Sequence, residues 1–454
     1  MDGPRRGANA TTGLPALFSL LLLLAAAVAQ VSCGGSGSTA TPRRIVLVTL
    51  DTLRFDRLDP TRDEAGVMPR TRAFASRGVQ FRHFWAASSS TQPTHATLFT
   101  GLHPWQHGVP RNGTVLADRH HTLAERLREA GYATAAVVAS FPLDPRFGYA
   151  QGFDVFVHDF DRVLTRTWEG EWSVEAGRFY RLDGAVTEQA IQLVDRAPRA
   201  DQFFWFHYFD PHEPYGDLLP RPFGLAHVTR ARKRGEKAYE RSLATVRAHY
   251  DADVRRLDAS LGALFDRLEE DADRFETHVV ITSDHGESFG EHGAIGHGWR
   301  VTREQVHVPL VIVSPRLQPE VREDVAGTAD LMSTILSLAG LPAPDVPGRD
   351  LTQGPGEAAG AAVGMTGVAT HSLDPDSDVR RERFFWVGDA TLYSGTSDRL
   401  IEEDALDRPA AEGESTRRVK QLFGVFESEL SGGKVVEKTD EETQEALRAL
   451  GYLE

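Results

Sequence analysis

Three strand-length apolar runs in this chain each end in an acid or an acid–histidine step, and that recurrence limits the folds open to it. Ile45 to Leu50 is nearly continuous in apolar residues and stops at Asp51. Phe203 to Phe209 stops at Asp210-Pro211-His212, and His278 to Thr282 runs into Ser283-Asp284-His285-Gly286. A run without polar alternation suits a strand buried on both faces, as in a parallel sheet flanked by helices. Open sheets of that kind place ligands at the carboxyl ends of their strands. One strand ending in Asp is an ordinary loop cap, but three such ends predict a converging acidic and imidazole site. Carboxylates that converge need a cation, so a divalent metal is expected there.

A fourth buried strand is expected at Val308 to Val313, an extended segment at Val79 to Ala86, and a strand at Ala133 to Ala139. Helical patterns cover Arg70 to Gly78, Leu123 to Gly131 and His249 to Leu268. Residues 160–185 and 217–245 are polar and read as irregular excursions over the active face. After Leu351 the chain turns Gly/Ala-rich through Gly367. Two strands near Phe384 to Val387 and Thr391 to Tyr393 and a last helix from Glu441 to Leu450 are expected beyond it. With 454 residues, 41% of them hydrophobic, the chain can bury one large domain and a smaller one. The expected divisions are a leader at 1–33, a linker at 34–42, a catalytic domain at 43–365 and a C-terminal subdomain at 366–454.

The net charge of −15 argues against a nucleic-acid partner. Cys33 is the only cysteine, so no internal disulfide forms. Arg5 and Arg6 precede an apolar run from Leu14 to Val31, a secretory pattern. Cys33 then leads into GGSGST, as in a bacterial lipoprotein, although Gln30-Val31-Ser32-Cys33 fits the lipidation signal only loosely. The expectation is an exported periplasmic or outer-membrane protein, tethered to the membrane through a lipid on Cys33.

Ser88 to Gly101 reads SSSTQPTHATLFTG. Pro93 fixes its own φ and biases Gln92 away from helix, which places Thr91 just before a helix start. A hydroxyl there faces the unpaired N–H groups of a first helical turn, where an anion is stabilised. Taken alone, the stretch reads as an ordinary N-cap. Together with the acidic strand ends, it reads as a nucleophile for phosphate or sulfate esters.

These residues resemble the sulfatase family of the alkaline phosphatase superfamily. The likeness runs through DTLRFDRL at 51–58, TQPTHATLFTGLHPWQHGV at 91–109, FDPHEPY at 209–215 and SDHGESFGEHG at 283–293. It closes with ADLMSTILSLAGLPAPDVPGRDL at 329–351, and EALRALGYL at the end is typical of one bacterial branch. The resemblance implies an α/β fold, with a large mixed sheet sandwiched by helices and a smaller C-terminal subdomain. It implies a metal held by Asp51, Thr91, Asp284 and His285. His212, His297 and His95 are the implied catalytic partners, and Arg300 and Asp210 the substrate contacts.

The departures from the family pattern are chemical. Sulfatases have cysteine or serine two positions before the proline, oxidised to formylglycine, and arginine two after it; here Thr91 and His95 stand there. The second aspartate of the usual first metal step is Thr52. A lysine and a histidine after the GYxT element fall at Ala139 and Phe141. Threonine cannot become the aldehyde, so its hydroxyl would attack directly, as in the superfamily's phosphodiesterases and phosphoethanolamine transferases. His285 replaces an asparagine, and an imidazole ligand favours zinc or manganese over calcium. The expected activity is hydrolysis of sulfuric or phosphoric esters. The alternatives are transfer of the group to an envelope glycan or lipid, and a non-catalytic binding protein. His103, His107 and His292 read as structural, since Gly and Pro neighbours mark tight turns.

Overall fold

The computed structural model describes residues 41–59, 66–166, 172–176, 179–216, 224–298, 301–354, 362–366, 383–388, 391–395, 400–402, 408–409 and 413–432. Cys33, Arg300 and the helix expected at 441–450 lie outside them. The chain divides into two units, 1–41 and 42–454; the second carries the fold described below.

Its centre is an eight-stranded sheet. The strands are β1 (Arg43–Leu50), β2 (Val79–Phe81), β3 (Ala133–Val137), β4 (Val155–Val157), β5 (Gln202–Tyr208), β6 (Glu276–Ser283), β7 (Leu310–Val313) and β8 (Glu320–Arg322), in spatial order β8-β2-β7-β6-β1-β5-β3-β4. All neighbours are parallel except β7, which runs antiparallel to both β6 and β2. β1 lies between β5 and β6 and is buried from Arg44 onward, which is why it reads as a continuous apolar run. The register sets Leu50 beside Tyr208 and Ser283, so Asp51, Phe209 and Asp284 all leave the sheet at one edge.

Helices form two groups on this sheet. In one, α1 (Pro69–Ala75), α4 (Asp183–Arg196) and α5 (Leu225–Arg232) pack on the 34-residue α6 (Glu236–Glu269). In the other, α7 (Asp330–Leu338) packs on α2 (Thr91–Thr100) and α3 (Leu123–Glu129). α3 starts on a reciprocal cap: Glu125 N donates to Thr122 Oγ1 at 3.2 Å and Thr122 N to Glu125 Oε2 at 2.8 Å. α2 is buried on every side, so no amphipathic stripe marks it. It ends at Gly101, whose φ of 69° is the left-handed stop that glycine accepts without strain.

A second, antiparallel sheet holds β9 (Ala362–Thr366), β10 (Arg383–Gly388), β11 (Thr391–Gly395), β12 (Leu400–Glu402) and β13 (Arg408–Pro409) in that order. α8 (Glu414–Gly432) packs on β10, and Val419 and Phe423 share a core with Trp105, Met365 and Phe384. The boundary expected after residue 365 thus falls inside β9.

Two polar stretches expected to be irregular contain regular elements among their described residues. Arg162–Arg166 and Trp172–Ala176 pair as an antiparallel hairpin, and α4 begins at Asp183. The 217–245 stretch contains α5 and the first turns of α6. Its apolar positions are too sparse to outweigh the charged ones, since burial in α6 begins only at Ser242.

Candidate active site

At the carboxyl edge of β1, β5 and β6, Asp51, Asp284 and His285 offer ligand atoms that all lie within 4.8 Å of one another. Thr91 is the first residue of α2, after Ser90 with φ −143° and ψ 149°. Its Oγ1 lies 3.4 Å from His285 Nε2. All four side chains are buried. The sequence placed these residues together, and the fold brings them together.

The hydrogen-bond inventory separates metal ligands from supports. Neither oxygen of Asp51 has a partner, and neither does Asp284 Oδ2. Asp284 Oδ1 accepts from His285 N at 2.8 Å and Thr52 N at 3.4 Å. Burial without partners pushes the Asp51 carboxyl up to about 7, with His285 pulling the other way and Glu287 adding to the rise. Asp284 is raised by burial and by Asp51, against the nearby histidines. Three orphaned carboxylate oxygens in a dry pocket are costly unless a cation joins them.

Burial also lowers the imidazoles, to about 4 for His95, His207 and His297 and about 3 for His212. All are neutral near pH 7, and each ring's partners then decide which nitrogen keeps a lone pair. His285 Nδ1 donates to Gly286 O at 3.1 Å, so Nε2 is a free acceptor, 3.7 Å from Asp51 Oδ1 and from Asp284 Oδ2. That is the usual support for a ligating histidine. The donor set of two carboxylates and one imidazole fits a divalent metal.

His95, His207 and Asp284 form a second acidic and imidazole group, but both nitrogens of His95 are already bonded. His95 Nδ1 donates to Thr91 O at 2.9 Å, and Nε2 accepts from the Thr49 hydroxyl at 3.1 Å, which itself accepts from Trp205 Nε1 at 2.9 Å. Both nitrogens of His95, expected as a catalytic partner, are thus bonded, and the ring holds the main chain of Thr91. His207 Nδ1 accepts from Ala139 N at 3.3 Å, which leaves the proton on Nε2, 3.6 Å from Asp51 Oδ2. His207 is a donor beside Asp51 that the sequence reading missed. Its signal was one polar residue inside QFFWFHY, in register with Thr49.

His297 and His212 lie beside the cluster, with ring centres 4.4 Å from His285 to His297 and 5.0 Å from His297 to His212. His297 Nδ1 donates to Glu287 Oε1 at 3.1 Å, and Tyr215 Oη donates to Glu287 Oε2 at 2.6 Å. Glu287, fully buried, is a second residue the sequence reading missed. His212 Nδ1 donates to Glu213 O at 2.6 Å, while its Nε2 has no partner.

Asp210, expected as a substrate contact, has Oδ1 paired with Arg256 at 2.9 Å and Oδ2 accepting from Asp183 N, so its carboxylate braces α4 and α6. The first turn of α2, expected to present unpaired N–H groups, is largely bonded. Gln92 N donates to Asn112 Oδ1 at 2.8 Å, position 93 is proline, and Thr94 N bonds Ser90 O at 3.4 Å. His107 is structural as expected, bonded to the Thr97 hydroxyl and to Val109 N.

Comparisons with known proteins agree with this fold. Residues 43–341 match the family model described as Sulfatase. The uncharacterized sulfatase YidJ of Escherichia coli (strain K12) is 25% identical over 324 residues, covering 62% of this chain and 64% of YidJ; the chain thus spans just under two thirds of that relative. The structure of BT4656 with its substrate D-glucosamine-2-N,6-O-disulfate has a TM-score of 0.67 at 16% identity, covering 88% of this chain and 100% of that one. The phosphonate monoester hydrolase SpPMH from Silicibacter pomeroyi gives 0.61 at 20% identity, over 86% of this chain and 94% of its own. The fold is thus that of the sulfatases within the alkaline phosphatase superfamily, and the chain belongs to the sulfatase family of ester hydrolases.

Proposed function

We propose that this protein is an exported, metal-dependent hydrolase of sulfuric or phosphoric esters in which Thr91 is the nucleophile. One observation carries the reading: the Thr91 hydroxyl sits 3.4 Å from His285 Nε2, against three carboxylate oxygens without partners. Asp51, Asp284 and His285 would hold a divalent cation, zinc or manganese suiting the imidazole, and such an ion would lower the pKa of the hydroxyl and neutralise an ester oxygen. Thr91 Oγ1 would attack sulfur or phosphorus in line, its proton passing to solvent water, and the bond to the leaving oxygen would break as that oxygen takes a proton from solvent water. Water then cleaves the Thr91 ester and releases sulfate or phosphate.

The other residues serve these two steps. His95 and Tyr149 fix the main chain at 91 and 92 through Thr91 O and Gln92 O. Glu287 fixes the tautomer of His297, whose Nε2 is then a base suited to the water of the second step. His212 Nε2, an unprotonated nitrogen without a partner, is an acceptor for the attacking water or a substrate hydroxyl. The leader and the Cys33 tether support an envelope location, where the substrate is an anionic ester on a glycan or lipid. Metal analysis with a panel of aryl sulfates, phosphate monoesters, diesters and phosphonate monoesters tests the reading. Turnover of at least one class, lost on chelation and restored by zinc or manganese, is expected. Stoichiometric calcium alone would return the site to a sulfatase-like metal.

A further inference from the structure

Thr52, directly after Asp51, has a backbone that its side chain disfavours. Its φ is 55°, in the left-handed region that a β-branched residue enters only under constraint. Among the described residues, His292 is the one other non-glycine with a positive φ. The Thr52 hydroxyl is buried and has no hydrogen-bond partner, so nothing in the side chain offsets the strain. The conformation is imposed through the main chain.

The constraint comes from α6. Tyr250, fully buried, donates its hydroxyl to Thr52 O at 2.9 Å and accepts from Arg54 N at 3.0 Å. Its ring meets those of Tyr215 and Phe289 edge-on, with centres 6.0 Å and 4.9 Å away. The chain is also held on both sides of Thr52. Asp51 N donates to Tyr208 O at 2.9 Å, and Arg54 Nη1 donates to Glu287 O at 3.0 Å and pairs with Glu291 at 2.9 Å. With both flanks fixed, Thr52 can leave the left-handed region only by turning over the peptide between Asp51 and Thr52. The N–H of that peptide donates to Asp284 Oδ1 at 3.4 Å. Turning it over would withdraw the N–H and set the Asp51 carbonyl oxygen in its place, against a carboxylate.

Resting on the metal reading above, we infer that Tyr250 is a positioning residue of the metal site. Its hydroxyl locks Thr52 in a strained conformation, and that conformation aims the Thr52 N–H at Asp284. The bond occupies Oδ1, together with His285 N, and leaves Oδ2 open to the cation. Strain beside a reactive centre persists only where the surroundings over-determine it, and here a buried tyrosine does so. A tyrosine with a purely structural role would contribute to stability and leave the metal affinity of the folded protein unchanged.

The test is calorimetric titration of the whole protein with zinc and with manganese, in wild type, Tyr250→Phe, Thr52→Gly and the double variant. Tyr250→Phe keeps the ring and should weaken metal binding roughly tenfold or more, as loss of a group behind a ligand does. Glycine adopts a positive φ without strain, so Thr52→Gly should bind metal within about twofold of wild type. In the Tyr250→Phe background it should recover most of the lost affinity. Denaturation midpoints of the metal-free proteins give a second readout that leaves Tyr250 unaltered. Glycine for threonine ordinarily lowers the midpoint, because the unfolded chain gains freedom; at position 52 it should hold or raise it. Equal metal affinity in Tyr250→Phe and wild type overturns the inference. So does a double variant as weak as Tyr250→Phe, or a lowered midpoint in Thr52→Gly. Wild type that binds neither metal overturns the metal reading, and this inference with it, a result read on the unaltered protein alone.

Discussion

The two ends of the central strands are built from the same kinds of residue and solve opposite problems. At the amino end of β1, Arg44 is buried but paired: Nη2 meets Asp271 at 2.9 Å, Nε meets Gln202 Oε1 at 2.8 Å, and Phe275 lies under the guanidinium. At the carboxyl end, Asp51 and Asp284 are equally buried and leave three oxygens without partners. Burial alone would raise Asp271 too, but Arg44, with Arg267 beside it, outweighs that and holds its carboxyl below the usual range. Asp51 is pushed up to about 7. Carboxylates paired with arginine mark the scaffold end of the sheet, and carboxylates that meet no arginine or lysine mark the site.

Substitutions should separate the two ends. The largest effect is expected at the nucleophile: Thr91→Ala should cut kcat by roughly 10³-fold or more, measured on the best ester of the panel. Thr91→Ser should keep part of the rate and Ser90→Ala most of it. Unchanged turnover in Thr91→Ala would remove the functional meaning of the carboxyl end.

The next effect is on metal and pH. Asp51→Asn and Asp284→Asn should each lose bound metal, seen by elemental analysis, without destabilising the metal-free fold. In chelated wild type, a folded pKa raised above the unfolded one means the native state holds the extra proton. Stability contributed by Asp51 should therefore fall as pH rises from about 4 to about 7, by at most roughly 4 kcal/mol. Denaturant melts of Asp51→Asn should lack that slope. At the amino end the sign reverses. Asp271 is depressed, so its contribution is present above its unfolded pKa and is lost as pH falls through the folded one.

Arg44→Met tests the scaffold end directly. Removing one partner of a buried ion pair costs about 3–5 kcal/mol, read as a lower denaturation midpoint, with kcat of the remaining folded protein unchanged. A loss of kcat with unchanged stability would reverse the comparison. The smallest effect concerns His207, whose Nε2–H faces Asp51 Oδ2. His207→Ala should weaken metal binding by about 10–100-fold in calorimetric titration, as loss of an outer partner does. His207→Gln, which keeps an N–H donor, should recover most of it.

Much of this edge was legible before any coordinates. β1, β5 and β6 are buried on both faces, so their sequences lack polar alternation, and the first polar residue past each run marks the sheet edge. Pro93 similarly gave away the start of α2. His207 stayed hidden because a buried polar residue inside a strand looks like core until its neighbours are known; only the register against Thr49 and the bond from Ala139 show its role. The bonding partners of His95 and Asp210 were hidden for the same reason, since contacts from β5, β1 and α6 cannot be read from local spacing. α5 and the start of α6 were missed because their exposed faces are dense in charge and their apolar stripe is thin.

The main-chain anchoring of α2 has a consequence for how such a site changes over time. Thr91 is positioned through its own carbonyl, bonded by His95, and through both backbone groups of Gln92, held by Asn112 and Tyr149. The threonine methyl and hydroxyl take no part in that anchoring. A lineage can therefore exchange the reactive atom at this position while inheriting its coordinates, because each of serine, cysteine and threonine projects one heteroatom from the same Cβ. Position and reactivity are inherited separately.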